Sequence, residues 1–238
     1  MAHGKEPSAR RPPRGSVGLA ALTALTIAIL GLSTCSWLDP DQTLLDAANA
    51  ADGDEIRDLV EGGANPNVRN DEGSTPLMLS IVSGTEEGVR ALLEGGADPN
   101  LTLDNGSTAV HMATATGQTV LLRITLEHGG DPNVKDEEGM TPLMMASMWS
   151  RADTVTALAE AGADLDTRNE DDRTALMIAV TEKRPEIVRA LLDAGANPRL
   201  GRRGVTTLTM AQQEGTGDIE LMLREAMGLN ERNSRRRF

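Results

Sequence analysis

Gly139-Met140-Thr141-Pro142-Leu143, followed two dozen residues on by Gly162-Ala163-Asp164-Leu165-Asp166, is the stretch that decides the fold, because both halves recur at one interval. The second half is written again as Gly63-Ala64-Asn65-Pro66-Asn67, Gly96-Ala97-Asp98-Pro99-Asn100, Gly129-Gly130-Asp131-Pro132-Asn133 and Gly195-Ala196-Asn197-Pro198-Arg199, so its leading glycine returns every 33 residues. The first half keeps step as Gly73-Ser74-Thr75-Pro76-Leu77, Gly106-Ser107-Thr108-Ala109-Val110 and Asp172-Arg173-Thr174-Ala175-Leu176. A fixed period of this length marks a stacked-repeat architecture.

The local chemistry inside one period is that of a helix pair. Threonine before proline suits a helix start: the hydroxyl accepts a free backbone N–H, and proline at the first helical position loses no bond. Helices are therefore expected to begin at Thr75, Thr108, Thr141 and Thr174. Gly84 and Gly117 punctuate the end of this short first helix. A second apolar stretch follows, as in Val89-Arg90-Ala91-Leu92-Leu93, and closes at a glycine pair such as Gly95-Gly96, where a left-handed residue is wanted. Each unit reads as helix, turn, helix and polar hairpin, and it cannot bury its apolar side without a neighbour.

These two columns resemble the signatures of ankyrin repeats. The resemblance implies an all-α solenoid of stacked helix-turn-helix units with β-hairpin loops. A repeat domain over residues 41–228 is expected, with a capping unit at 41–69, full repeats at 70–102, 103–135, 136–168 and 169–201, and a degenerate cap at 202–228. The first unit lacks the hairpin and the Thr-Pro start, yet Leu44-Leu45-Asp46-Ala47-Ala48 and Ile56-Arg57-Asp58-Leu59-Val60 still give two helices. Aromatic residues make up 1% of the chain, so aliphatic and small side chains must do the packing.

Charge divides the chain into regions. Between Asp39 and Gly228 there are 15 basic and 34 acidic residues, net −19, whereas residues 229–238 carry four arginines against one glutamate. So acidic a body repels phosphate backbones and argues against nucleic-acid binding; basic protein partners fit it better. Residues 229–238 read as a basic disordered tail, with anionic lipid head groups or the acidic slab as surfaces it could touch.

The first forty residues read as an address. Lys5, Arg10, Arg11 and Arg14 precede an uncharged run over residues 15–38, and Asp39 and Asp41 follow. Leu32-Ser33-Thr34-Cys35 resembles the lipobox of bacterial lipoproteins, which implies cleavage before Cys35, lipidation of its thiol and a short linker over residues 35–40. An uncleaved membrane anchor over residues 17–38 stays open beside it, as does ordinary cleavage. Positive charge before the apolar run keeps the N-terminus inside in either membrane-held case, which places the body on the extracytoplasmic side of a bacterial envelope. Cys35 is the only cysteine, so the exported part would be stabilised by packing alone.

Catalysis needs convergent acid, base or nucleophile groups, and the histidines number three: His3, His111 and His128. Met78, His111, Met144 and Met177 form one column at repeat spacing, and stacking sets its members about a helix diameter apart, too far for one ion. They read as packing, and no metal, cofactor or catalytic site is expected. The acid pairs Asp71-Glu72 and Glu137-Glu138 and the run Glu170-Asp171-Asp172 lack the spacing of a calcium loop and read as solvated tips.

Binding is therefore sought by position. In the ankyrin family the hairpin tips and first helices line a concave partner-binding surface. On this chain the resemblance carries that role to Thr102, Asp104 and Asn105, to Lys135, Glu137, Glu138 and Met140, and to Glu170, Asp171 and Arg173 at the tips. It carries it to Thr116, Met148, Trp149, Thr181 and Glu182 at the first-helix ends. Met140, Met148 and Trp149 fall in one central repeat, and tryptophan is enriched at binding hot spots. Trp149 could instead fill the space left where Ser150 replaces a turn glycine. The expected activity is non-enzymatic protein binding by a monomer at the envelope. The rivals are a protective scaffold for an envelope enzyme and a cytoplasmic adaptor with an uncleaved hydrophobic arm.

Overall fold

A computed structural model describes residues 39–149 and 151–229. The export or anchor segment, Cys35, Ser150 and the tail from residue 230 lie outside the described residues. Contacts divide the chain into Met1–Asp39 and Pro40–Phe238, and the second unit is the one described.

Among the described residues twelve helices occur in pairs: α1 (Pro40–Ala50) and α2 (Gly53–Glu61), α3 (Pro76–Ser83) and α4 (Glu86–Glu94), α5 (Ala109–Ala115) and α6 (Thr119–Glu127). They continue as α7 (Pro142–Trp149) and α8 (Ala152–Glu160), α9 (Ala175–Thr181) and α10 (Pro185–Ala194), α11 (Thr207–Gln213) and α12 (Gly217–Ala226). Odd-numbered helices pack on one another in sequence, and even-numbered helices form a second row behind them. The result is an all-α solenoid of two helical layers.

Threonine starts the inner row. Thr75, Thr174 and Thr206 occupy the N-caps of α3, α9 and α11, each accepting from a backbone amide in the first turn. Thr141 does the same for Met144 at 3.4 Å. The inner helices of the full repeats, α3, α5, α7 and α9, are short and mostly buried, and α9 leaves only Thr181 partly open, whereas the terminal α1 and α11 are more exposed. Small side chains let the row close up: Ala113, Ala146, Ala179 and Ala211 are each fully buried. Ser147 and Thr114 reach inward positions because their hydroxyls donate to the carbonyls of Leu143 and Val110, both at 2.8 Å, within their own helices.

The glycine that returns every 33 residues takes the left-handed conformation at the close of each second helix, as Gly96 does at φ 91° and Gly129 at φ 90°, while Gly95 just before it keeps a negative φ of −81°. The hairpins are narrow. Two backbone bonds close each of the full ones, for example Leu103 N–H to Ser107 C=O at 2.8 Å and Gly106 N–H to Leu103 C=O at 2.9 Å. Among the described residues a strand pair is formed only by β1 (Gly201–Arg202) and β2 (Val205–Thr206), which are antiparallel.

The terminal asparagine of the loop motif stitches the units together. Asn100 accepts from the Asp131 amide at 2.8 Å and donates to the Gly129 carbonyl at 2.9 Å, one repeat ahead. Asn67 and Asn133 make the same two bonds to their next units. Asp166, the fourth in the column, accepts from Asn197 at 3.0 Å, and a carboxylate has no proton for the second bond. A parallel set of cations ties the tips: Arg69 to the Thr102 carbonyl, Lys135 to that of Arg168 and Arg168 to that of Gly201.

Candidate functional site

Each inner helix leaves its hairpin at its N-terminal end, and at the opposite, C-terminal end α7 differs from its neighbours. Val82 is exposed, Ala115 is small and Thr181 is half-buried, but α7 ends in half-buried Met148 and in Trp149, which is 60% exposed. The Trp149 side chain is thus largely open at the surface, while Ser150, on which the alternative of a filled turn rests, lies outside the described residues. Arg184 Nη1 donates to the Met148 carbonyl at 2.8 Å, so the turn of the following unit holds the end of α7 in place.

Trp149, Met148 and Met145 form the apolar wall of a cleft of about 360 Å³ between the third and fourth full hairpins. Asp136, Glu138, Glu170 and Asp171 stand around it with Asn169 and Arg173. Their positions are set by the loops. Asp136 Oδ1 accepts from the amides of Glu138 at 3.0 Å and Met140 at 2.8 Å. Arg173 Nη2 lies 3.7 Å from Asp171 Oδ2, and Arg202 Nη2 lies 3.8 Å from Asp171 Oδ1. The lining carries four carboxylates against one guanidinium. Its chemistry is that of an apolar shelf under a negative rim, suited to a cationic segment with a large hydrophobic side chain.

Met140 needs correction. It was expected at the exposed tips, but it is 7% exposed and forms the floor of the cleft. Its sulfur accepts from Asn169 Nδ2 at 3.3 Å. The equivalent positions hold Ser74, Ser107 and Arg173, none of them fully open, so this column faces under the loop and methionine fills it. Lys135, Glu137, Glu138, Glu170 and Asp171 are exposed at the tips, although the Lys135 ammonium already serves the Arg168 carbonyl at 2.9 Å. Thr102, Asp104 and Asn105 lie exposed one repeat earlier, where Asn105 C=O accepts from the Glu137 amide. Thr116 and Glu182 are exposed ends of neighbouring inner helices. The structure gathers Met140, Met148, Trp149, Glu138, Glu170, Asp171 and Arg173 into one cleft; Thr102, Asp104, Asn105, Thr116, Lys135, Glu137, Thr181 and Glu182 are not among its lining residues.

Three lining residues escaped the sequence reading: Met145, Asp136 and Asn169. Met145 had a signal, since Leu79, Met112 and Met145 share a column and all are half-buried apolar residues on the open flank of the inner row.

Met78, His111, Met144 and Met177 are buried. His111 is the structural member of this set. The Thr108 amide donates to its Nδ1 at 3.2 Å, which puts the proton on Nε2, and Nε2 donates to the Met140 carbonyl at 3.3 Å. The ring thus caps α5 and reaches the next hairpin. Burial, opposed by the bond to Met140 and the charge of Asp136, pushes its pKa below the ordinary histidine value. Among the described residues no cluster of three or more His, Cys, Asp or Glu is arranged to hold a metal ion. No helix among them is long and apolar enough to cross a membrane.

No curated protein matches the chain in a similarity search. The family profile described as ankyrin repeats (3 copies) matches three times, over residues 44–136, 89–169 and 120–202, and these matches together cover more than half of the chain. With two rows of paired helices, threonine caps and a loop motif that bonds each unit to the next, the chain belongs to the ankyrin-repeat family.

Proposed function

We propose that the chain is a non-enzymatic adaptor whose partner is seized at the Trp149 cleft. Ankyrin repeats are in general protein–protein interaction modules. The observation that carries the finer reading is a tryptophan 60% exposed beside Met145 and Met148 and ringed by Asp136, Glu138, Glu170 and Asp171. A partner segment with a bulky apolar residue flanked by Lys or Arg would bury the indole while its charges met the rim. The cleft is built on packed helices and bonded loops, so little ordering remains to oppose association.

The proposal includes the site of action. A basic stretch, an uncharged apolar run and Leu32-Ser33-Thr34-Cys35 support export and tethering through Cys35 at a bacterial envelope, with the repeats on the extracytoplasmic side. Intact mass of the mature protein tests this. A chain beginning at Cys35 with added acyl mass supports the tether, and an unprocessed chain with Met1 removes the lipid from the account. Binding is tested by crosslinked capture from envelope membranes with the wild type and a Trp149→Ala, Met148→Ala variant. The reading requires a protein retained only by the wild type.

A further inference from the structure

The cleft demands a cationic segment with a large apolar side chain, and the chain itself carries one. Residues 231–238 read Glu-Arg-Asn-Ser-Arg-Arg-Arg-Phe, with four arginines against one acid and the chain's single phenylalanine. Two contacts link the last described residues to the cleft rim. Arg199 Nη2 donates to the Met227 carbonyl at 3.0 Å, so the end of α12 is fixed beside the loop that runs into β1. Arg202, in β1, lies 3.8 Å from Asp171, and Asp171 belongs to the cleft rim. Nine residues follow Leu229 and reach about 30 Å when extended, enough to cross two neighbouring units about 10 Å apart.

We propose that residues 231–238 dock in the Trp149 cleft of their own chain, the arginines against Glu138, Glu170 and Asp136 and Phe238 on Trp149 and Met148, and so compete with the external partner. The inference rests on the cleft being the partner site. Aromatic–aromatic and sulfur–aromatic contacts suit the shelf, and the arginine run supplies the charge that the rim lacks. A tethered segment acts at a high effective concentration, so even a weak contact is populated and a partner must displace it. The tail would then set a threshold for partner binding.

The test places p-benzoylphenylalanine at position 238 of the full-length chain in non-ionic detergent, irradiates it and maps the crosslinks. The expected result is an intrachain crosslink to the peptide holding Met145, Met148 and Trp149. It should fall at least tenfold in an Arg235→Glu, Arg236→Glu, Arg237→Glu variant and at 1 M salt, about 3 Å of Debye length. Crosslinks confined to α12 or scattered over the repeats overturn the proposal, as do interchain products alone or crosslinks to detergent-bound lipid. The second arm measures capture of envelope proteins, which the charge-reversed tail should raise and Trp149→Ala should abolish. Capture that needs Trp149 but ignores the tail sinks this inference and leaves the adaptor reading standing. Capture that ignores Trp149 sinks the adaptor reading.

Discussion

Asp166→Asn should make this protein more stable, although it touches neither the core nor the cleft. Asn67, Asn100 and Asn133 each make two bonds to the next unit, an acceptance from the residue after its Ala or Gly and a donation to its turn glycine. Asp166 keeps the acceptance, 3.0 Å from the Asn197 amide, and sets a second carboxylate oxygen where its equivalents carry an amide. Asparagine would add a donation to the Gly195 carbonyl and remove one charge from a body with net −19. A net protein hydrogen bond contributes about 0.5–1.5 kcal/mol, and exposure puts this one at about 0.5–1 kcal/mol. For a domain of this size that is about 1–4 °C in Tm. The reciprocal change, Asn100→Ala, deletes bonds of 2.8 and 2.9 Å and should cost about 1–2 kcal/mol. Urea unfolding followed by circular dichroism measures both, with m unchanged. If Asp166→Asn is neutral or destabilising while Asn100→Ala is costly, the loop ladder is not the coupling described here.

Three further outcomes follow from single positions. His111 is neutral and below its ordinary pKa in the folded chain, so below about pH 6.5 the unfolded state takes up a proton that the folded state refuses. The stability it contributes is present above that pH and is lost as pH falls towards the folded pKa, by at most about 1.4 kcal/mol per unit; urea titrations at pH 5 and 7.5 should show a drop that His111→Gln lacks. Gly130→Ala restores the alanine found at positions 64, 97, 163 and 196, yet its Cβ would stand 2.7 Å from Val110 Cγ2 and 2.9 Å from the Thr125 carbonyl oxygen. It should cost about 1–3 kcal/mol in thermal unfolding, and a neutral result would mean that α5 and α6 shift freely. Trp149→Ala, at an exposed position, should leave stability within about 0.5 kcal/mol, and a large loss would put the indole back into the packing.

The fold was written in the sequence because each repeat states it locally. Thr75, Thr108, Thr141 and Thr174 mark helix starts by a chemistry that acts within four residues, and the 33-residue return of Gly96 and its equivalents gives the stacking. The cleft was legible only in part. Trp149 and Met148 announce themselves by residue type, but the setting of the end of α7 does not, because the Met148 carbonyl is bonded by Arg184 of the next unit, 36 positions away. Met140 misled because tip membership says nothing of which way a side chain turns; its sulfur meets Asn169, 29 positions on, and its carbonyl meets His111. Asp136 is hidden among acids that look alike in sequence, and only its loop-closing bonds distinguish it.

The central claim is that the Trp149 cleft is where a partner is held. Its most direct measurement is crosslinked capture from envelope membranes by the wild type beside Trp149→Ala, Met148→Ala, after circular dichroism has confirmed that both are folded. The account predicts a protein retained by the wild type and lost from the variant. Equal retention by two equally folded proteins would contradict it and move the binding surface away from the cleft.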